Sequence, residues 1–129
     1  MTVGSRRRQT GPDQLTVEAL WDRAQGHCEI TGVTLSGERS VGWHVHHRRP
    51  RKAGGTRWPG INGIENLLLL SPAAHARVES ERSEAYANGW LVRQNDIPAA
   101  TPVLVCGHTV MLTDDAAYRP VRTVEVPDA

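Results

Sequence analysis

The stretch His44-Val45-His46-His47-Arg48-Arg49-Pro50 decides how the rest of the chain is read. As a strand, residues 43–47 place His44 and His46 on one face and Trp43, Val45 and His47 on the other. Neighbouring His46 and His47 therefore start out pointing apart, and a site that uses both needs the strand end or a bulge to re-aim one. Arg48, Arg49, Arg51 and Lys52 follow at once, and no carboxylate occurs between Arg39 and Glu65. Imidazoles beside guanidinium groups suit phosphate chemistry. A histidine with a pKa near ~6.5 accepts a proton near neutral pH or, when neutral, ligates a metal, while arginines hold phosphate oxygens.

Downstream, residues 48–63 carry Pro50, Gly54-Gly55, Pro59-Gly60 and Gly63, too many breakers for regular structure. The loop they predict could cover a nucleic-acid backbone with Arg51, Lys52, Arg57 and Trp58. After Asn66, the apolar run Leu67–Leu70 fits a strand buried on both faces. Ser71 then reads as a helix cap and Pro72 as the first helical residue, with the helix running to about Asn88 and Gly89 just past its end. His75 falls in the first turn, near the positive end of the helix dipole, with Glu79 four residues on. That placement lowers its proton affinity and suits metal ligation. Arg82, further along, could reach the same phosphate.

The flanks complete one α+β domain. Residues 1–12, with Arg6-Arg7-Arg8, read as a flexible basic arm, and residues 13–129 as the domain, its core at 28–89 and C-terminal strands at 90–118. A helix starts at Asp13, capped by Asp13 or Thr16, with Val17, Leu20, Trp21 and Ala24 as its apolar face and Gly26 as its stop. Trp90-Leu91-Val92 reads as a short strand. Val103–Cys106 and Thr109–Leu112 read as a hairpin joined by Gly107-His108 in a type II′ turn, leaving His108 exposed. The link from Pro98 to Pro102 and the tail from Pro120 read as irregular.

The formal net charge of +1 conceals an imbalance. Residues 1–60 carry ten Arg or Lys against five Asp or Glu, and residues 61–129 five against nine. A basic first half fits a polyanionic partner, although solvated arginines give the same pattern. Cys28 and Cys106 show no paired spacing, so free buried thiols are expected. No run approaches the roughly 20 apolar residues of a membrane span, and no secretory leader is visible, so a soluble, cytoplasmic protein without membrane contact is expected.

The order His46-His47-Arg48-Arg49-Pro50, Gly54-Gly55, Asn66-Leu67 through Leu70 and His75 resembles the HNH endonuclease family, whose fold is the ββα-metal finger. Cys28-Glu29-Ile30-Thr31-Gly32, Asn88-Gly89-Trp90-Leu91-Val92 and Leu112-Thr113-Asp114-Asp115 extend the resemblance to small HNH proteins of actinobacterial phages. It implies a ββα-metal core with an N-terminal helix and a C-terminal β-hairpin. By position, it makes His46 and His75 the ligands of one divalent ion, with Mg²⁺, Mn²⁺, Ni²⁺ and Zn²⁺ all open. His47 becomes the general base and Asn66 the residue that holds the loop and orients the base, with an approach of Asn66 to the metal also open. Arg48, Arg49, Arg51, Lys52, Arg57 and Arg82 become phosphate contacts. His44 is left open as a third ligand, a phosphate contact or a surface residue.

What the resemblance implies is hydrolysis of DNA phosphodiester bonds with little sequence preference, leaving 5′-phosphate and 3′-hydroxyl ends. It further implies a phage setting, a host bacterial cytoplasm and terminase subunits as partners in DNA packaging. A DNA-binding module that keeps the fold without turnover is the alternative. Many relatives hold a structural zinc with two Cys-x-x-Cys pairs. Here those pairs read Cys28-Glu29-Ile30-Thr31 and Ser71-Pro72-Ala73-Ala74, so no structural zinc is expected and Leu67–Leu70 must supply the stability instead.

Overall fold

The computed structural model describes residues 11–50 and 58–121. Most of the expected arm, the cations Arg51, Lys52 and Arg57, and the last eight residues lie outside the described residues. Within them the chain forms α1 (Gln14–Ala24), β1 (His44–His47), β2 (Leu67–Leu70), α2 (Pro72–Ser80), α3 (Arg82–Ala87), β3 (Val103–Val105), β4 (His108–Leu112) and β5 (Tyr118–Pro120). Among the described residues this is a small α+β fold of three helices and two antiparallel sheets, β1-β2 and β3-β4-β5.

Local chemistry explains where the elements start. The Asp13 carboxylate accepts the Thr16 N–H at 2.8 Å and caps α1. Ser71 Oγ accepts the Ala74 N–H at 3.1 Å and caps α2, with Pro72 next in the first turn. In the first sheet His44 lies opposite Leu70 and His47 opposite Leu67. The Arg48 N–H donates to the Asn66 carbonyl at 2.7 Å, one step beyond the strand ends. All four leucines of β2 are fully buried, and α1 and α2 both pack on that strand. Val103, Val105 and Leu112 join the same apolar core, so the second sheet is part of one domain.

Three expectations are corrected. The helix after Ser71 does not run unbroken to Asn88: it breaks at Glu81, whose φ of −111° and ψ of 62° are not helical. Arg77 bridges the break, giving two hydrogen bonds to the Glu84 carboxylate at 2.7 and 3.0 Å. Trp90-Leu91-Val92 is not a strand. It is a buried turn whose N–H groups go to the carbonyls of Ala85 and Arg48. The hairpin turn is Cys106-Gly107, one residue earlier than expected, with both φ values positive (47° and 83°) as in a type I′ turn. His108 instead opens β4, where it is exposed. β5 pairs on the edge of β4 and runs two residues past the expected end of the C-terminal strands at 118, taking in Pro120, expected to be irregular.

A buried ion pair locks the halves together. Arg23 donates to both Glu29 carboxylate oxygens at 3.0 and 2.8 Å and to the carbonyls of Ile64 and Leu67. Glu29 also accepts the Leu69 N–H and the Tyr118 hydroxyl, which ties α1, β2 and β5 to one carboxylate. Both cysteines are free thiols, but Cys106 is exposed. Burial pushes the Cys28 thiol up, yet hydrogen bonds from Thr31, Ser71 and Ile30 outweigh it and hold the thiol below its ordinary range. No helix among the described residues is long and apolar enough to cross a membrane.

Candidate metal centre

The alternation of β1 turns His44 and His46 toward α2, and the Ser71 cap fixes where the first turn of α2 meets them. His44 Nδ1 lies 2.8 Å from His75 Nδ1, and the His46 and His75 ring centroids are 5.2 Å apart. One turn along α2, Glu79 Oε1 is 3.8 Å from His75 Nε2. Donor atoms of His46, His75 and Glu79 all lie within 4.8 Å of one another, the one such group of three among the described residues. Two imidazoles and a carboxylate form a donor set that fits a divalent first-row ion.

The hydrogen bonds assign the protons. The Trp90 carbonyl can only accept, so the 2.7 Å contact requires His46 Nε2 to carry the hydrogen, and Nδ1 keeps its lone pair. Burial pushes the proton affinity of His46 down to about 4; the bond to Trp90 opposes this, and charges on His75, His47 and Arg48 add to it. His75 is lowered as well, by burial first and then His44, with Glu79 opposing. Both rings are therefore neutral near pH 7, the form a metal requires. His44 and His75 share one proton between two Nδ1 atoms. When His75 is the donor, its Nε2 lone pair is left on the side of Glu79.

His47, the last residue of β1, faces elsewhere, with Nε2 at 2.9 Å from Asn62 Oδ1. Donation to that amide oxygen leaves His47 Nδ1 as an acceptor. His46 and His47 remain close enough for charge on one to disfavour charge on the other. Asn66 is fully buried. Its Oδ1 accepts the Arg49 N–H at 2.7 Å, and its Nδ2 donates to the carbonyls of Arg49 and Ile61 at 3.2 and 2.9 Å. With both amide atoms committed to the loop, the expected approach of Asn66 to a metal is corrected. The expected hold on the loop has a visible route: Asn66 fixes Ile61, and the next residue, Asn62, contacts His47.

Arg48 is the plainest correction to the expected phosphate contacts. It is fully buried and donates to the carbonyls of Gly89, Glu65, Pro98 and Thr101 at 2.8 to 3.0 Å. Burial pushes its pKa down to about 10, which still leaves it charged. Arg49 lies 4.2 Å above the Trp58 ring. Arg82 is exposed and holds the Glu79 carboxylate at 3.1 Å. His44 belongs to the cluster and is not a bare surface residue.

Sequence reasoning missed Glu79 as a candidate ligand, although its spacing from His75 was a signal, and missed Asn62, for which no local pattern existed. Compared with protein-family models, curated proteins and solved structures, the chain finds no match.

Proposed function

We propose that the protein is a divalent-metal-dependent DNA endonuclease of the HNH kind, with β1, β2 and α2 as its ββα-metal core. The observation that carries this reading is the convergence of His46, His75 and Glu79 beside a separately oriented His47. His46 Nδ1, His75 Nε2 and one Glu79 oxygen would hold the ion. When bound, the ion supplies positive charge for the phosphate oxygens and the leaving 3′ oxygen. Nitrogen donors favour Mn²⁺, Ni²⁺ or Zn²⁺ over Mg²⁺, which prefers oxygen.

The chain's own residues do the proton chemistry. His47 takes a proton from the attacking water, and the Asn62 amide oxygen steadies the imidazole at Nε2. Asn66 keeps Asn62 in reach by pinning Ile61. Arg49, stacked on Trp58, lies two residues after the base in sequence and is suited to a phosphate contact.

Supercoiled plasmid incubated with Mg²⁺, Mn²⁺, Ni²⁺ or Zn²⁺ tests the proposal. Wild type should nick it with at least one ion, and both His47→Ala and His46→Ala should abolish nicking. Isothermal titration should show that only His46→Ala loses the ion. Equal nicking by wild type and His47→Ala removes His47 from the chemistry. Gel retardation by wild type without cutting under any ion favours a binding module instead.

A further inference from the structure

Beside the metal cluster lies a groove of about 540 Å³, lined among others by Arg82, Tyr86, Arg93, Asp96 and Thr101. Glu79 links the two places, because its carboxylate belongs to the metal-holding group and also pairs with Arg82 at 3.1 Å. Two guanidinium groups lie over the Tyr86 ring, Arg93 at 4.3 Å from the centroid and Arg82 at 5.8 Å. Their situations differ. Arg82 is held by Glu79 and reaches the Tyr86 hydroxyl, whereas Arg93 is exposed and its side chain forms no ion pair among the described residues.

A guanidinium laid on an aromatic ring is held in place by its face, so its N–H edge stays available for a two-pronged acceptor such as a pair of oxygens on one centre. Phosphate is such an acceptor. The groove wall adds a second fixed charge. Arg48, buried beneath it, donates to the Thr101 carbonyl at 2.8 Å and accepts the Val92 N–H through its own carbonyl, with no carboxylate paired to it among the described residues. Asp96 is the opposing charge in the lining, and it pairs with neither arginine.

We propose that this groove holds a backbone phosphate of the DNA strand close to the one being cut, gripped by Arg93 on its Tyr86 platform and by Arg82. The assignment rests on the nuclease reading and extends it by giving the strand a path away from the metal. Neither Arg93 nor Tyr86 stands out in the sequence, because each is a single residue in a segment whose net charge is acidic.

The test measures binding of a short fluorescent DNA duplex over a salt series, with the full chain carrying His47→Ala so that the DNA stays intact. Adding Arg93→Glu should weaken binding at least about tenfold and make the salt slope shallower by about one ion. Tyr86→Leu, which keeps every charge, should weaken binding about threefold with an unchanged slope. Asp96→Asn should tighten it. Ni²⁺ affinity should be the same in all of them, which shows that the fold and metal cluster persist. If the parent binds DNA while Arg93→Glu and Asp96→Asn match it in affinity and slope, the groove assignment is overturned and the nuclease reading stands. If the parent does not bind DNA at all, the nuclease reading falls and the groove assignment with it.

Discussion

Two residues apart in the chain, His46 and Arg48 are both buried, yet one keeps a ring nitrogen uncommitted while every guanidinium nitrogen of the other is bonded. The surroundings of Arg48 are crowded: carbonyls of Glu65, Gly89 and, from one turn, Pro98 and Thr101 take four of its five N–H groups, and the side chain is fully buried. Around His46 one acceptor is left over, since the Trp90 carbonyl uses one ring nitrogen and the other keeps its lone pair beside His75 and Glu79. Burial alone therefore does not separate a structural polar residue from a functional one. What separates them is unspent hydrogen-bonding capacity.

The contrast can be broken most forcefully at Arg48. Arg48→Leu strands the carbonyls of Gly89, Glu65, Pro98 and Thr101, and urea unfolding should show a loss of at least about 3 kcal/mol. A loss below about 1 kcal/mol would mean that water satisfies those carbonyls and that the site is not a structural hub. His46→Ala should act on the other side of the comparison, lowering Ni²⁺ affinity about a hundredfold by titration calorimetry, beyond what unfolding explains.

Proton linkage sharpens the same point. His46 sits near 4 in the folded chain against an ordinary value of 6.5, so the unfolded chain takes up its proton first as pH falls. Stability without metal is thus full above the ordinary histidine value and declines as pH drops through the interval toward 4. His75 contributes with the same sign. Between roughly pH 7 and pH 5 the loss from His46 should be about 2 kcal/mol, and denaturant midpoints for His46→Ala should flatten that slope. The smallest effect expected is at the helix that presents His75: Ser71→Ala should cost about 1 kcal/mol in thermal unfolding, with Ser71→Asp restoring the cap.

Much of the scaffold was legible because its signals are local. Asp13 and Ser71 cap their helices where the sequence placed them, and the unbroken apolar run Leu67–Leu70 is the fully buried strand it suggested. Strand alternation also sorted His44 and His46 from His47 correctly. The misses share a cause in tertiary partners. Arg48 was read from its charged neighbours, although alternation sets it in phase with buried His46. Trp90-Leu91-Val92 looked like a strand because it is apolar, but its N–H groups are taken by Ala85 and Arg48 rather than by a neighbouring strand. The turn slipped by one residue because a left-handed cysteine at position 106 has no strong sequence signature. Glu79 joins the candidate centre only through the packing of α2 on β1.

The Asn66 amide grips the backbone of Arg49 and of Ile61 at once, closing the intervening chain at its neck. Such a clasp fixes Arg49 and Ile61 to one side chain, independently of the histidine cluster on β1 and α2. Under the proposed nuclease reading, segments of different length or composition could be grafted between positions 49 and 61 to redirect target choice, leaving the candidate ligands His46, His75 and Glu79 untouched. Adaptability to new substrates and constancy of the reaction would then be kept apart by a single carboxamide.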